Sequence, residues 1–349
     1  MKMKPQVRTL AAYQPEAPNP HVVRLSANEN VFGASPKVAE ALQNLPADTI
    51  NYYPDGQATP LRQALSQLTG IEPEKFVLGV GLDEIIQLLS RVLLTPTANI
   101  VTTTPTFSEY ELHAEIEGSR TKAVPVLEDG HVDFAGMLAA VDEQTALVVL
   151  TNPNNPTGVF ESVADITGFL AKLPREVTLF VDEAYFEFVA EEVATVLPLV
   201  AKYENLVVGR TLSKAYGLAN LRVGYAVMNE PLLSAMQAVR LPYNLSTFQQ
   251  TAAVAAVRDQ AYLHHVVTVV QQEREKWQTF LREQGYDVYA SQGNFLYVAV
   301  SDAKRYAQAL LAAGFQVKAY PAVQRLRFSM GAPADMARMR AVFLTLKDV

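Results

Sequence analysis

One stretch of the chain brings together a lysine, two hydroxyls and an arginine: Thr211-Leu212-Ser213-Lys214-Ala215-Tyr216-Gly217-Leu218-Ala219-Asn220-Leu221-Arg222. A lysine amine becomes a catalyst when it condenses with a carbonyl and its neighbours control its protonation. The planar fork of Arg222, eight residues further on, suits a phosphate. A cofactor carrying both an aldehyde and a phosphate would engage both cations. Ser-Lys pairs also occur in ordinary surface turns, so the reading depends on what stands upstream.

Upstream lies Val177-Thr178-Leu179-Phe180-Val181-Asp182-Glu183-Ala184-Tyr185, an apolar run ending in two acids and a tyrosine. Strand alternation sends Asp182 and Glu183 to opposite faces, which argues against a glycosidase-type carboxylate pair. A carboxylate at the end of a buried strand needs a cationic partner. A metal is one candidate, but the five histidines (His21, His113, His131, His264, His265) show no ligand spacing near it. A protonated pyridine nitrogen would satisfy Asp182 through one charge-assisted bond worth roughly 1.5–3 kcal/mol.

Three further segments have the texture of ligand loops. Asn152-Pro153-Asn154-Asn155-Pro156-Thr157-Gly158 is a rigid turn that would fix Asn155 as a neutral donor to a phenolate oxygen. Gly79-Val80-Gly81-Leu82-Asp83-Glu84 invites a dinucleotide reading, yet Glu84 stands where a small residue is required and no acid follows at the ribose position. What survives is simpler: glycines let the backbone approach an anion, and the N–H groups of Leu82 and Asp83 open a helix. In Thr104-Pro105-Thr106-Phe107-Ser108-Glu109-Tyr110, the two aromatics are either core or a flat face for a ring.

These segments need elements to carry them. Buried or β-branched runs predict strands at 76–80, 99–103, 121–126, 146–151, 177–182, 206–209 and 223–228, most of them separated by helical patterns near 109–117, 134–141, 163–173 and 197–203. Runs apolar on both faces and alternating with helices imply an α/β protein with a mainly parallel, seven-stranded sheet covered on both sides. Ligands gather beyond the carboxyl ends of such strands, where each segment above lies. Ser35 and Pro36 open a first helix. After Leu241-Pro242-Tyr243-Asn244 the texture changes to a long helical pattern over 247–284, broken near Asp259, then short strands at 287–290, 295–300, 315–318 and 326–330 and two more helices over 303–313 and 333–346. The chain therefore divides into a large domain over 30–245 and a smaller α/β domain over 246–349, with an N-terminal arm over 1–29. The arm is proline-rich, and its end, Leu25-Ser26-Ala27-Asn28-Glu29-Asn30, could dock on a site.

Composition narrows the function classes. There is no cysteine among the 349 residues, so disulfides and thiolate chemistry are excluded. This suits a reducing cytoplasm. The net charge of −7 argues against a large nucleic-acid footprint. No apolar run reaches membrane-spanning length, and no apolar leader precedes residue 30.

Asn-Asn-Pro-Thr-Gly, Asp-Glu-Ala-Tyr and Thr-Leu-Ser-Lys-x-x-Gly-x-x-x-x-Arg, in that order after Gly-x-Asp-Glu, resemble the fold-type I aminotransferases that use pyridoxal 5'-phosphate (PLP). Within them the chain is similar to the histidinol-phosphate aminotransferase group, through Ala12-Tyr13-Gln14-Pro15, the Leu25–Asn30 segment, Tyr52-Tyr53-Pro54-Asp55, Asn294-Phe295 and Leu326-Arg327-Phe328-Ser329-Met330-Gly331. The resemblance implies that Lys214 bonds the cofactor and moves a proton. It implies that Asp182 holds the ring nitrogen, Asn155 and Tyr185 the 3-oxygen, and that Tyr110 stacks on the ring. Thr211, Ser213, Arg222 and the amides of Leu82 and Asp83 would hold the phosphate. Arg327 would take the substrate anion, with Tyr13 and Asn28 lining the pocket. Tyr53 would reach in from the partner of a homodimer. Lys318 stands where the group usually has arginine, which implies weaker phosphate discrimination and tolerance of aromatic amino acids. A general aromatic aminotransferase, a threonine-phosphate decarboxylase and a non-catalytic regulatory module share this architecture.

Overall fold

Apolar strands and amphipathic helices alternate along the chain, as the sequence pattern predicts. The computed structural model describes residues 1–12, 19–190 and 194–346. Tyr13 lies outside the described residues. The first elements are β1 (Val23–Arg24), α1 (Pro36–Gln43) and α2 (Thr59–Thr69). Ser35 caps α1 by accepting the Lys37 N–H, with Pro36 in the first turn where no N–H is needed. Next come β2 (Phe76–Val80), α3 (Gly81–Leu93), β3 (Asn99–Thr104), α4 (Glu109–Glu117), β4 (Arg120–Pro125), α5 (Phe134–Ala140), β5 (Thr145–Thr151) and α6 (Val163–Leu170). The run continues with β6 (Thr178–Asp182), β7 (Leu206–Thr211), β8 (Val223–Val227) and α7 (Leu232–Val239).

Seven of these strands form one sheet in the order β2-β8-β7-β6-β5-β3-β4. Only β8 runs against its neighbours. Every residue of β6, β7 and β8 is buried, the signature of strands covered on both faces. The parallel register sets Thr151, Asp182 and Gly209 side by side on β5, β6 and β7. The carboxyl ends of β2, β3, β5, β6 and β7 thus open on one edge, and the loops with chemical potential leave from that edge.

The remaining chain builds a second layer from α8 (Thr247–Arg258), α9 (Gln260–Glu283), β9 (Phe295–Ala299), α10 (Ala303–Ala312), β10 (Phe315–Gln316), β11 (Lys318–Tyr320), β12 (Arg325–Ser329) and α11 (Pro333–Leu346). Asp259 separates α8 from α9, the predicted break. β11, β12 and β9 form an antiparallel sheet. Trp277 of α9 is fully buried against Phe280, Phe328 and Phe343 and anchors that layer.

Three local differences from the sequence reading have physical causes. The predicted strand over 315–318 is two short strands, because β10 pairs with β1 while β11 pairs with β12. The expected strand near 287–290 is reduced to a single bridge, Val288 to Val298. The helix expected over 197–203 is a 3-10 turn over Leu197–Ala201. The arm is stitched in by long-range bonds: Leu25 donates to Gln316, and the Leu25 carbonyl accepts the Ser329 N–H.

Candidate active site

Lys214 follows the carboxyl end of β7, half-buried. Its Nζ donates to the Ala27 carbonyl at 2.9 Å and lies 5.9 Å from the centre of the Tyr185 ring. Burial, and then the nearby Arg327 charge, lower the amine to about 8. Two backbone features bring the lysine here. Gly217 turns with φ +71° where a side chain would strike the Gly33 carbonyl, and the arm crosses above the loop to supply Ala27.

Asp182 ends β6, only 3% exposed. Its Oδ2 accepts from the Tyr110 hydroxyl at 2.6 Å and its Oδ1 from the Ala184 N–H at 2.9 Å. Burial raises the carboxyl to about 6; the two hydrogen bonds oppose the shift, while the Asp83 and Glu183 charges add to it. No cation is among these influences. Glu183, one residue on, points to the other face as strand alternation requires. There it pairs with the buried Arg210 at 2.9 Å and accepts from Thr195 and the Val196 N–H.

The Asn152–Gly158 turn is held by side chains as well as by its prolines. Thr106 donates to Asn154 Oδ1 at 2.9 Å, and Asn154 Nδ2 donates to Thr157. Asn155 Oδ1 accepts from Arg327 Nη1 at 2.6 Å, leaving Nδ2 free to donate elsewhere. Arg327 Nη2 donates to the Ser26 carbonyl at 2.6 Å, and its buried Nε has no partner among the described residues. Tyr185 is buried edge-on to Phe295, and its hydroxyl accepts from Asn28 Nδ2 at 3.1 Å. Burial pushes this phenol up to about 12.

At the β2–α3 junction, Gly81 has φ +74°, and a Cβ there would lie 2.4 Å from Arg222 Nη2. Arg222 itself sits in the left-handed region with φ +51°. Its Nη1 reaches Ser213 Oγ at 3.4 Å, and its Nη2 pairs with Asp83 at 2.7 Å. Thr211 Oγ1 accepts the Ser213 N–H at 3.1 Å. Leu82, Asp83, Thr211, Ser213 and Arg222 therefore cluster around one helix N-terminus, a natural seat for an anion. The Asp83 carboxylate was not foreseen in contact with Arg222.

The remaining substrate candidates divide. Asn28 is buried at φ +55°, and its amide is engaged with Tyr185 rather than facing an open pocket. Lys318 lies directly opposite Arg327 in the β11–β12 register, exposed at the rim. Tyr53 is 82% exposed and stacks on Tyr243.

Tyr110 requires a correction. It was expected to stack its ring on a cofactor, but the protein covers both faces and leaves it 2% exposed. Phe107 and Phe180 meet it edge-on, and its hydroxyl is on Asp182. The half-buried Phe107, one helical turn earlier, retains open ring surface. Asn294, named in a sequence motif but given no role, donates to the Asn28 carbonyl at 3.1 Å, and the sequence does not mark the arm carbonyls of Ser26 and Ala27. Backbone carbonyls leave no mark on a sequence.

The family model "Aminotransferase class I and II" matches residues 20–343. The histidinol-phosphate aminotransferase of Leuconostoc mesenteroides is 53% identical over 98% of this chain and 99% of its own. That of Limosilactobacillus fermentum is 47% identical over 97% and 98%. Among solved structures, histidinol-phosphate aminotransferase from Sinorhizobium meliloti in complex with pyridoxal-5'-phosphate aligns with a TM-score of 0.89 at 29% identity, covering 99% of this chain and 97% of that one. With this match in sequence and fold over nearly its whole length, the chain belongs to the class I and II aminotransferases and, within them, to the histidinol-phosphate aminotransferase family.

Proposed function

We propose that the protein transfers an amino group between histidinol phosphate and 2-oxoglutarate, forming imidazole-acetol phosphate and glutamate, with PLP as cofactor. The reaction serves histidine biosynthesis. One observation carries the reading: Asp182 is a buried carboxylate whose strongest influences include no cation, at the end of the strand beside the one that delivers Lys214. A protonated pyridine nitrogen supplies the missing charge. The donor set fits the rest of the cofactor, since the cradle at Gly81 and Arg222 has room for no side chain and joins a helix N-terminus to a guanidinium.

When bound, PLP supplies an aldehyde for Lys214 and a ring that accepts the electron pair released at the substrate Cα. The chain's own groups do the rest. Asp182 holds the ring nitrogen protonated. Asn155 presents Nδ2 to the 3-oxygen because Arg327 occupies its Oδ1. Tyr185 donates its own proton there, since its oxygen already accepts from Asn28. Phe107 offers the ring face.

Thr211, Ser213, Arg222 and the Leu82 and Asp83 amides hold the phosphate. A phosphate near −2 exceeds the charge of Arg222, which is shared with Asp83, plus about half a charge from α3, so these neutral donors are required. Lys214, neutral above about pH 8, would be the base that accepts the substrate's Cα proton and the acid that gives it back. Arg327 holds the substrate anion through its unpartnered Nε edge, and Lys318 adds a point charge at the rim. Tyr53, exposed beside Tyr243, completes the site of a second subunit in a homodimer.

The test is direct. Purified protein with PLP, histidinol phosphate and 2-oxoglutarate should form glutamate without releasing CO2. Phenylalanine, tyrosine and threonine phosphate run in parallel define the substrate class. If phenylalanine and tyrosine turn over no better than alanine while histidinol phosphate is fast, Lys318 does not relax specificity. Glutamate formed from none of them would end the proposal.

A further inference from the structure

We propose that Tyr110 is a positioning residue whose hydroxyl fixes the orientation and ionisation of Asp182, and through it the charge on the ring nitrogen of bound PLP. The inference rests on the PLP reading above.

Tyr110 stands in the first turn of α4, and α4 packs across α3 beside the carboxyl ends of β5 and β6. Its ring is closed off by protein, so the hydroxyl is its only working group. That oxygen lies 2.6 Å from Asp182 Oδ2 and 2.8 Å from Thr151 Oγ1. A phenol has one proton, and an ionised carboxylate can only accept. Tyr110 therefore donates to Asp182, and Thr151 in turn donates to Tyr110. With the Ala184 N–H on Oδ1, each carboxylate oxygen holds one fixed donor and the plane of the group is set. The β5–β6 register, which puts Thr151 beside Asp182, builds this short relay into the sheet.

Ionisation follows from the same contacts. The groups whose charge or hydroxyl acts on Asp182 are Asp83 from the start of α3, Tyr185 from its own strand end, Tyr110 from α4, and Glu183 from the opposite face. Burial and the two carboxylates favour the protonated acid, which cannot pair with a protonated pyridine. The hydrogen bonds from Tyr110 and Ala184 favour the carboxylate. Without the phenol hydroxyl, one oxygen loses its only donor among the described residues, and Asp182 moves further toward the neutral acid. Losing a hydrogen bond to a charged group corresponds to about tenfold or more in affinity.

The experiment compares wild type with Tyr110→Phe in the full chain, measuring dissociation constants by equilibrium dialysis. The probes are PLP and its carbocyclic analogue, in which carbon replaces the ring nitrogen. Tyr110→Phe should bind PLP about tenfold more weakly and the analogue as tightly as wild type does. The acid limb of its pH–activity profile should move to higher pH. An equal loss for both probes, or no loss for either, overturns the proposal. If Tyr110→Phe does not fold, Thr151→Val removes the donor behind Tyr110; it should show a smaller loss, again confined to PLP, and the same two outcomes overturn it. A wild-type protein that binds neither probe overturns the PLP reading itself, a result distinct from the failures above.

Discussion

At the scale of single residues, the site is a set of ionisations held away from their ordinary values. Lys214 is lowered to about 8 by burial and by Arg327. Its folded value lies below the ordinary lysine value, so the reactive neutral amine gains as pH rises through 8. Capture of added PLP by the cofactor-free protein should therefore accelerate about tenfold per pH unit below 8 and level off above it. Stopped-flow absorbance checks this, and a plateau only near 10.5 would contradict it. Arg327→Met should move the midpoint upward, because it removes a positive charge that disfavours the ammonium. Asp182 shifts the opposite way, raised to about 6 from 3.8. A carboxyl raised on folding stabilises the protonated form and weakens the fold once ionised. Asp182→Asn should thus stabilise the cofactor-free protein at pH 7 by roughly 1–3 kcal/mol, read as a higher melting temperature. The gain should fade between pH 6 and 4. Tyr110 can turn its proton to Thr151 and accept one N–H of the new amide, so its contact with residue 182 survives the substitution. Activity should nevertheless collapse, because an amide cannot hold the ring nitrogen protonated.

Among the elements, the arm contributes most of what was unexpected. Val23–Arg24 pairs with β10, and the next four residues meet Arg327, Lys214 and Tyr185 through Ser26, Ala27 and Asn28. Asn28 sits at φ +55°, a conformation glycine adopts freely. Asn28→Gly therefore removes the bond to Tyr185 without straining the backbone. Its expected effect is a fall in kcat of about tenfold, with stability changed by about 1 kcal/mol at most. Steady-state kinetics and a urea melt separate the two, and an unchanged kcat would show that Tyr185 needs no such support. The β2–α3 junction gives the complementary case. Gly81→Ala would force a Cβ toward Arg222 Nη2 at a φ of +74°, costing about 1–2 kcal/mol in backbone strain. Because the guanidinium is the flexible end of its side chain, it would swing out of the cradle. PLP affinity should drop more than folding stability does, which a cofactor titration read against a melt will reveal.

For the molecule as a whole, the exposed Tyr53–Tyr243 stack is the place to test the proposed homodimer. In a homodimer with Tyr53 crossing over, mixing Lys214→Ala with Tyr53→Ala protein after co-refolding creates one intact site per mixed dimer. Random pairing then restores about a quarter of wild-type activity from two weak parents. Activity that stays at the average of the parents would place Tyr53 outside the partner's site. Among the described residues no helix is long and apolar enough to cross a membrane.

The sequence by itself determined the alternation of buried strands and helices, because apolar periodicity is a local property of the chain. It also located Lys214, Asp182, Asn155 and Arg222 at strand ends, because side-chain chemistry and strand polarity are both written in residue order. It misjudged Tyr110, whose place in a helix start says nothing of which neighbours cover its ring. It could not foresee that Asp83 pairs with Arg222, that β1 joins β10, or that carbonyls of the arm meet Lys214 and Arg327. Those contacts join residues far apart in the chain, and backbone carbonyls are the same at every position. Only packing the arm and the second sheet over the strand ends decides which group each carbonyl, carboxylate and phenol meets.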